Sequence, residues 1–336
     1  MNTKLNPKVV SIGSISAASL LINAFKDQPE HITAIVSTTD TGSSTGIVRK
    51  KFSIPAPGDV RAVLSAMGND KGNRALLRRL FEYRLKPEHF PELSNLALGN
   101  LLLAALTDML GSFSGAIKVA GELLGIKGKV LPVTTANTHL KALLDDGREV
   151  RGEEEVRQIG KPPIQKLFLK DNAVRLGEGV SEAITEADLI VIGPGCLYTS
   201  IIACLVVPGL PDALQKTKAK KIYCCNTTTT PGQTDGLTVL DHVKVVIYYL
   251  DNNPPDYALI NSTRPRREVE KIYGHDKVFP IVPTPDEVEK IKAMGCVPIV
   301  ADLIEGHWEG KRTLHKLDTI RHDPRKVRRV LENILH

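Results

Sequence analysis

The sequence has few aromatic residues: phenylalanine, tryptophan and tyrosine make up only 4% of its 336 positions. Proteins that bind single-stranded nucleic acid without sequence preference stack bases on aromatic side chains, and this chain has few to offer. It also contains no HExxH motif, no GxxxxGK(S/T) phosphate-binding loop and no histidine or cysteine cluster with metal-ligand spacing. These absences argue against zinc hydrolases of that type and against P-loop enzymes.

Cysteine is also scarce, and its number is odd. The five cysteines form no CxxC pair, and Cys224 and Cys225 are adjacent within an apolar run. This pattern is typical of small buried residues in a reducing compartment, where disulfides do not persist. We therefore expect a cytoplasmic protein.

Long hydrophobic runs are absent too. The longest apolar stretch, LALGNLLLAALTDML, is interrupted by Asn100, Thr107 and Asp108 and is too short and too polar to cross a bilayer. Near the N-terminus, Lys4 and Lys8 precede VVSIGSISAASLLINAF, a composition that resembles a signal peptide. We interpret this segment instead as the strand, loop and helix that open a βαβ unit, because the strand ITAIVS follows at once. No membrane partner is predicted.

Positive charge is concentrated at one end of the chain. The net charge is +6, and the segment from Lys311 to His336 holds eight basic and three acidic side chains, which leaves the rest close to neutral. A face that binds nucleic acid is usually broader than this. We therefore predict no nucleic-acid partner and interpret the basic end as a solvated helix face or a local anion contact.

Short β-branched runs recur along the chain and alternate with helical patterns of ten or more residues. The runs are VVSI, ITAIVS, KVLPVT, LIVIG, KIYCCN, YALIN, VFPIVP and VPIVAD. Near-continuous apolar strands of this kind are typical of a parallel sheet that helices cover on both faces. The pattern therefore predicts an α/β protein with a mostly parallel sheet.

Two stretches interrupt this alternation. Residues 60–124 carry helical periodicity without a convincing strand, which predicts a small helical insertion. Residues 140–170 predict a β-hairpin excursion, with a turn at Asp146-Gly147 and the strand IQKLFLK after it. The remaining residues, 1–59 and 125–336, are assigned to the domain that contains the parallel sheet.

Polar and glycine-rich segments follow five of the predicted strands. In a parallel α/β sheet, ligands bind beyond the carboxyl ends of the strands, where helix N-termini offer unpaired N–H groups. Each segment alone is also what an ordinary turn requires. Together they predict a polar cleft that accepts phosphates and hydroxyls. The segments start at Gly13, Thr38, Gly193, Asn226 and Asn261.

The segment after the second strand has the most unusual composition. Its glycines and hydroxyls allow backbone N–H groups to approach a phosphate, and Asp40 is placed to accept from a ribose or to hold Mg²⁺; the alternative is a flexible turn. Downstream, PGDVR opens a helix in which Asp59 is an N-cap or a ligand carboxylate and Arg61 faces an anion. Asn100, inside an apolar helix, either bonds the backbone or reaches a ligand.

A serine hydrolase competes with these interpretations. GSSTG matches the G-x-S-x-G nucleophile elbow and follows a strand, so that Ser44 would be the nucleophile with a late histidine such as His322 as its base. The elbow requires a helix directly behind it, and IVRKKFSIP allows only about two turns before Pro55. The hydrolase is therefore kept as a remote alternative.

Several long motifs resemble the gluconeogenesis-factor family, which is related to the 2-phospho-L-lactate transferases (CofD-like). They are AIVSTTDTGSSTGIVRKKFSIPAPGDVRAVLSAM, LGNLLLAALT, EVRGEEEV, GPGCLYTSIIACLVVPGLPDAL, NTTTTPGQTDGLTVLDHV and RHDPRKV, and they span nearly the whole chain. The resemblance implies a Rossmann-like fold in a cytoplasmic bacterial protein, with residues 1–59 and 125–336 as the nucleotide-binding domain. It further implies either a binder of UDP-sugars that acts in cell shape and gluconeogenic growth, or a transferase that uses a deazaflavin, a phospholactyl-guanosine donor and Mg²⁺.

The first two loops depart from the family pattern. A glycine run close to GGGTGL is replaced by Gly13-Ser14-Ile15-Ser16-Ala17, and side chains in this loop crowd a phosphate that glycine backbone admits. The usual Asp-Asp-Gly-Gly of the second loop is Asp40-Thr41-Gly42-Ser43, which removes one carboxylate. We expect a retained cleft with an altered choice of ligand.

The leading hypothesis is a protein that binds a nucleotide sugar or another nucleotide diphosphate and acts as a gluconeogenesis and cell-morphogenesis factor. The alternative is a Mg²⁺-dependent phosphotransferase of the CofD type, with Asp40 and Asp59 as catalytic and metal-binding carboxylates. Whether the chain is an enzyme is left open, as is a homodimer, and no cofactor other than Mg²⁺ is considered. The predicted ligand-binding residues are Gly13, Ser14, Asp40, Gly42, Ser43, Asp59, Arg61, Asn100, Gly193, Gly195, Tyr198, Thr199, Ser200, Asn226, Thr234, Asp235 and Arg321.

The C-terminal segment predicts a final helix. Asp323-Pro324 has the pattern of an N-cap followed by proline at the first helical position. An apolar stripe at helical spacing predicts docking on the sheet, and the basic residues between its members are expected to face solvent. The stripe is Val327, Val330, Leu331 and Ile334, and the basic residues are Arg325, Lys326, Arg328 and Arg329.

Overall fold

The structure, a computed structural model, describes residues 6–93, 95–171, 173–306 and 320–336, apart from the side chains of Ser43 and Ser44. Its ten described strands are β1 (Val9–Gly13), β2 (Ile32–Val36), β3 (Lys129–Pro132), β4 (Leu140–Leu144), β5 (Glu149–Arg151), β6 (Ile164–Leu169), β7 (Leu189–Ile192), β8 (Lys220–Cys224), β9 (Tyr257–Asn261) and β10 (Val297–Ala301). Seven of them form one parallel sheet in the order β10-β9-β8-β7-β1-β2-β3. The predicted α/β, Rossmann-like fold is confirmed.

Helices connect most of these strands. They are α1 (Ile15–Ala24), α2 (Ser43–Phe52), α3 (Gly58–Met67), α4 (Gly72–Glu82), α5 (Leu98–Leu110), α6 (Phe113–Leu124), α7 (Gly152–Val156), α8 (Val180–Thr185), α9 (Ala203–Leu205), α10 (Leu210–Lys216), α11 (Val239–Tyr249), α12 (Arg267–Gly274), α13 (Pro285–Ala293) and α14 (Pro324–Leu335). A short π-helix, Leu197–Ile202, leads directly into α9. Within the described residues no single helix has the length and apolar composition of a membrane span, although the bent pair Leu197–Leu205 and Leu210–Lys216 together meets that test.

Strand β1 lies at the point where the strand order reverses. The chain proceeds from β1 to β2 and β3 on one side, and the later strands β7 to β10 are added on the other side. Alternate residues of the strands face opposite layers, as the period of two requires. Val10 and Ile12 pack with α9 to α11, and Val9 packs with α1 and α14. Such a switch point leaves a crevice beyond the carboxyl ends of the two central strands.

The helical insertion lies between β2 and β3. Helices α3 to α6 fill residues 58–124 with no strand among those described there, as the periodicity predicts. They pack around a separate group of buried residues that includes Leu64, Phe81, Leu103 and Leu124. The helices confirm the helical content of this stretch, and its status as a domain stays a prediction.

Residues 140–170 form a second, antiparallel sheet in the order β5-β4-β6, which confirms the predicted hairpin at Asp146-Gly147. We call residues 140–170 the arm. Two tyrosines attach it to the main body at the outer edge of β6. The Tyr249 hydroxyl accepts from the Leu167 N–H at 2.5 Å and donates to the Leu167 carbonyl at 3.1 Å, and the Tyr198 hydroxyl donates to the Ile164 carbonyl at 3.3 Å. These bonds attach β6 of the arm to the π-helix and to α11.

One predicted strand is wrong. The run VFPIVP, residues 278–283, forms no strand and contributes only an isolated bridge between Pro280 and Thr228. Its two prolines lack the N–H groups that a β-ladder requires. The apolar composition of the run predicts a strand because it does not take this missing donor into account.

The final helix α14 is confirmed. The carboxylate of its cap, Asp323, accepts from the Arg325 N–H at 2.8 Å, and Val327 and Leu331 are fully buried against α1 and the sheet. The expectation that the basic residues face solvent is wrong for two of them. Arg328 binds Asp27 and Glu332, and Lys326 binds Asp302 at 2.6 Å.

Candidate functional site

The crevice at the switch point is open. A cavity of about 280 Å³ lies between the start of α1, the loop after β7, the loop after β8 and the segment that precedes α14. We call this cleft, which is lined by Glu305 and by residues within the ranges 15–23, 194–196, 226–230 and 320–324, the open side. Three predicted ligand residues line it: Gly195, Asn226 and Arg321.

The loop after β7 is held by a side chain from the next strand end. The Asn226 amide accepts from the Gly195 N–H at 3.2 Å and donates to the Gly195 carbonyl at 2.8 Å. Gly195 has a φ of +156°, and a Cβ added to it would lie 3.2 Å from Ser14 Oγ. Gly193, with a φ of +78°, would place a Cβ 3.0 Å from the Cys224 carbonyl oxygen. Both glycines are therefore required by conformation and by close approach.

The segment before α14 forms the opposite wall of the cleft. The Thr227 hydroxyl donates to the Ile320 carbonyl, and the Glu305 N–H donates to the Arg321 carbonyl at 3.0 Å. His322 is buried, with Nε2 at 3.6 Å from Cys224 Sγ, and burial lowers its pKa to about 4. These contacts fix the backbone on both sides of Arg321, whose half-buried side chain lies at the rim.

A second cavity shares part of its wall with the first. It has a volume of about 210 Å³ and shares Glu305, Ile320 and Arg321 with the open side. Its other lining residues include three basic side chains, Arg264, Arg266 and Lys326, together with the carboxylate of Asp302. We call the two cavities together the trough and call Arg321, which lines both, its junction.

On the other flank of the switch point, carboxylates meet side chains from the arm. We call Asp40, Thr41, Asp59, Glu153 and Arg157 the closed side. Thr41 and Glu153 bond each other twice: the Glu153 N–H donates to Thr41 Oγ1 at 2.9 Å, and the Thr41 N–H donates to Glu153 Oε2 at 3.3 Å. Arg157 Nη1 lies 2.9 Å from Glu153 Oε1. The arm thus covers the loop that carries Asp40.

Burial governs the electrostatics of the closed side. It raises the pKa of Asp59 to about 7, with a further increase from the charge of Asp40, while Arg61, Arg157 and the Ile15 N–H oppose the shift. Burial, and then a hydrogen bond with Asp40, also raise the pKa of Glu153. The closed side therefore binds protons near neutral pH that exposed carboxylates would release.

On and beside the closed side, several groups that the sequence assigns to a ligand bond to other groups of the protein. The Gly42 N–H donates to Asp40 Oδ1 at 2.7 Å, in a local turn. Asp59 is not the N-cap of α3, because Pro57 holds that position. The Arg61 guanidinium is buried and bonds Glu82 at 2.6 Å and the Phe81 carbonyl at 3.3 Å, so it faces the helical insertion instead of an anion in the cleft.

Other predicted ligand residues lie away from the cavities. Tyr198 is 4% exposed, and its hydroxyl donates to the Ile164 carbonyl of the arm. Thr234 is fully buried and accepts from the Thr230 N–H at 2.7 Å. The ligand roles of both residues stay predictions. Asp235 accepts from the Gly232 N–H at 2.6 Å, within the same turn. These two residues shape the loop after β8.

Four further predicted residues are buried in the framework of the site. Asn100 is 1% exposed within α5, and Thr199 and Ser200 are buried in the π-helix, where the Thr199 N–H donates to Gln233 Oε1 at 3.2 Å. Gly13 ends β1 directly before Ser14, and its carbonyl lies 3.7 Å from Cys204 Sγ. The backbone of Ser43 begins α2, and its side chain is outside the described part of the chain, as is that of Ser44. The ligand roles of these residues stay predictions.

Glu153, Arg157 and Gln233 are the residues that the sequence did not reveal as part of the site. Gln233 is 5% exposed and bonds the π-helix, and Lys161 of the arm donates to the Gly232 carbonyl at 2.6 Å. The motif EVRGEEEV is the available signal, because it places three adjacent acidic residues after a hairpin. Which of the three turns inward depends on the docking of the arm.

The carboxylates of Asp40 and Asp59 supply only part of the coordination shell that Mg²⁺ requires. Across the described residues, no group of three or more histidine, cysteine, aspartate or glutamate side chains is placed to hold a metal ion. Asp40 and Asp59 lie close enough for the charge of one to raise the pKa of the other. Mg²⁺ commonly uses one or two carboxylates and completes its shell with waters and phosphate oxygens, so this pair fits a cation that arrives with a phosphate ligand.

The chain is similar to several bacterial proteins along its whole length. The profile of the family described as 2-phospho-L-lactate transferase CofD matches residues 9–304. The gluconeogenesis factor of Bacillus subtilis is 36% identical over 329 residues, which cover 98% of each chain. The gluconeogenesis factor of Halalkalibacterium halodurans is 38% identical over 320 residues, which cover 95% of this chain and 94% of that one. A crystal structure of a Bacillus halodurans protein matches with a TM-score of 0.88 at 34% identity and covers 98% of this chain and 100% of the other.

Proposed function

Because the chain belongs to the 2-phospho-L-lactate transferase CofD family, and gluconeogenesis factors are among its relatives, we propose that it is a gluconeogenesis factor that binds a nucleotide sugar or another nucleotide diphosphate in the trough. The trough is the observation that carries the proposal. It comprises the cavity beyond the carboxyl ends of β1 and β7 and the second cavity beside it, and Arg321 lines both. Clefts at switch points of parallel sheets are where α/β proteins bind nucleotides.

The chemistry of the trough suits a ligand with a polar diphosphate between two larger ends. Arg321 lies at the junction of the two cavities, where a guanidinium can form charge-assisted hydrogen bonds with phosphate oxygens. The amide of Asn226 and the backbone around Gly195 add neutral polar contacts. The cavities on the two sides of Arg321 then take the nucleoside and the sugar.

A thermal-shift screen tests this function. The protein is heated with UDP-, GDP- and ADP-sugars, and with the free nucleotides and free sugars as controls. A ligand present at about 100 times its Kd stabilises the folded protein by about 2.7 kcal/mol, which is a readily measured rise in Tm. Nucleotide sugars are expected to raise the Tm more than their separate halves. No rise with any nucleotide would contradict the proposal.

A transferase of the CofD type is the second candidate. The family match and the approach of Asp40 to Asp59 favour it. In that case these two carboxylates hold Mg²⁺, which neutralises charge that develops on a transferring phosphoryl group. Incubation with a nucleotide donor, Mg²⁺ and a hydroxyl-bearing acceptor separates the candidates, because binding without turnover supports the factor and turnover supports the transferase.

The serine hydrolase gains no support from the described side chains. His322, its candidate base, is buried beside Cys224 in the wall of the cleft. The cytoplasmic location expected from the sequence remains a proposal.

A further inference from the structure

Helix α4 of the helical insertion is apolar on two sides. On its inner side, Phe81 is 1% exposed and Leu77 packs on the buried residues of the insertion. On its outer side, Leu76, Leu80 and Tyr83 are 57%, 39% and 40% exposed. Their spacing of four and three positions places them one above another on a single helix face, which we call the outer stripe. A surface helix ordinarily has a polar outer face, so the core of this domain does not account for the outer stripe.

Basic side chains lie beside the outer stripe. Arg79 is three positions after Leu76 and four before Tyr83, so it borders the stripe on the same side of the helix. Arg79 is exposed, and so are Arg84 and Lys86, which follow the end of α4. The stripe is therefore flanked by positive charge along the helix and at its C-terminal end.

Little negative charge opposes these basic residues. Residues 71–86 contain six basic residues and one acidic residue, Glu82. The Glu82 carboxylate lies 2.6 Å from Nη1 of the buried Arg61, which neutralises it from within the insertion. Asp70 and Glu88 lie in the loops beyond the two ends of this segment. The outer face of α4 thus complements an anionic surface.

A partner for this face must be anionic and must also take up apolar side chains. A second copy of the chain does not suit it, because two basic faces repel each other. The phosphate backbone of a nucleic acid offers no apolar surface to the two leucines. The surface of a bilayer with anionic lipids offers both, since acyl chains take up leucine side chains and lipid phosphates bind arginine and lysine. Tyrosine is also enriched at the level of the headgroups.

We propose that α4 is a membrane-docking helix: the outer stripe enters the surface of a bilayer that contains anionic lipids, and Arg79, Arg84 and Lys86 bind the lipid headgroups. A helix that lies on a membrane in this way does not span it. The inference therefore agrees with the finding that no single described helix could cross a bilayer. It also leaves the trough to its ligand, because no described residue of 58–124 lines either cavity.

Cosedimentation of the full chain with lipid vesicles tests the inference. The wild type is expected to bind vesicles of phosphatidylglycerol and phosphatidylcholine, and to bind vesicles of phosphatidylcholine alone at least about tenfold more weakly. Each basic residue near an anionic surface strengthens binding about fivefold, so three of them exceed this factor. A rise in salt from about 0.1 M to about 1 M shortens the Debye length from about 10 Å to about 3 Å and is expected to weaken the binding.

A charge reversal tests the contribution of the basic residues. Arg79→Glu removes one positive charge and adds a negative one, and it is expected to weaken binding to the phosphatidylglycerol vesicles at least about tenfold. Arg329→Glu is the matched control, because it makes the same change in net charge at an exposed position of the basic helix α14. The control is expected to bind as the wild type does.

A second variant tests the apolar contact. The double substitution Leu76→Gln, Leu80→Gln keeps the charge and a good helix former at both exposed positions, and it is expected to weaken vesicle binding at least about tenfold. Met109→Gln is its control, since Met109 is 79% exposed on α5 and lies outside the outer stripe. Thermal melts verify that all variants are folded.

Three results would overturn the inference. The first is a wild type that does not bind the phosphatidylglycerol vesicles. The second is an equal loss in Arg79→Glu and Arg329→Glu, which would mean that only net charge matters. The third is unchanged binding by the double leucine variant, which would leave α4 as a basic face for an acidic protein. None of these measurements depends on a nucleotide, so the inference and the proposed function can fail separately.

Discussion

The open and closed sides flank the same strand, β1, and use their polar groups in opposite ways. On the closed side, Asp40, Thr41 and Glu153 bond one another or backbone groups of the protein. On the open side, Asn226 fixes Gly195, and Arg321 stays half-buried at the rim of a cavity. The comparison teaches that a high density of glycine, hydroxyl and carboxylate groups does not by itself identify the ligand-binding flank, because such groups also satisfy one another.

Blocking the open side is expected to have the largest effect. In Gly195→Val, the new side chain meets Ser14 and fills the cleft beside the loop, and we expect the affinity for a nucleotide-diphosphate ligand to fall about a hundredfold, or about 2.7 kcal/mol. Calorimetric titration measures the loss. Gly147→Val is the control, because Gly147 has a φ of +84° with nothing near its added Cβ and lies in the arm hairpin. Unchanged binding by Gly195→Val would mean that the ligand lies elsewhere.

The second largest expected effect is on the free energy of unfolding, and it comes from protonation of Asp59 on the closed side. The pKa of Asp59 is about 7 in the folded protein and close to 4 when unfolded, so the folded protein retains a proton that the unfolded chain releases. The contribution of Asp59 to the free energy of unfolding therefore falls as the pH rises from about 4 through 7, and the fall between pH 5 and pH 8 is about 2–3 kcal/mol. Urea unfolding of wild type and Asp59→Asn at pH 5 and pH 8 measures it.

His322 works in the opposite direction in that experiment. Its pKa is lowered to about 4 in the folded state, so its contribution to stability rises with pH up to its unfolded value. Wild type and Asp59→Asn share the contribution of His322. The difference between their pH profiles of unfolding free energy therefore gives the contribution of Asp59 alone. An identical pH dependence in wild type and variant would show that Asp59 is an ordinary exposed carboxylate.

The third largest expected effect is the loss of ligand affinity when the guanidinium of Arg321 is removed. Arg321→Ala should weaken binding of a nucleotide diphosphate about tenfold, near 1.5 kcal/mol, which is the lower end for a lost charged hydrogen bond because the side chain is only half-buried. Arg329→Ala is the control, since Arg329 is exposed on α14 and lines neither cavity. A larger loss from Arg329→Ala would make the basic helix the binding surface.

The positions of the open-side residues can be located from the sequence, whereas the contacts of the closed side cannot, for a physical reason. Gly193, Gly195 and Asn226 follow the ends of β7 and β8, which the strand pattern locates, and Arg321 precedes the cap of α14, which the sequence also predicts. Glu153 instead reaches Thr41 across 112 positions of sequence, and only the docking of the arm determines this contact. The same docking brings the Tyr198 hydroxyl to β6, a contact that the sequence of its own loop does not indicate.

The prediction with the smallest expected effect, Ile15→Gly, compares the two sides most directly. If the Ile15 side chain were the obstacle to a phosphate at α1, Ile15→Gly would strengthen nucleotide binding, as the loss of the family's glycine run suggests. Because the carboxyl groups of Asp40 and Asp59 lie close together at this flank and disfavour a further anion, we expect instead a change in affinity below about twofold, measured by titration with the ligand found in the thermal-shift screen. Only in an Asp59→Asn background, which lacks one of these carboxyl groups, should Ile15→Gly add affinity. A strong gain from Ile15→Gly by itself would show that steric crowding, and not the carboxylate, closes this flank.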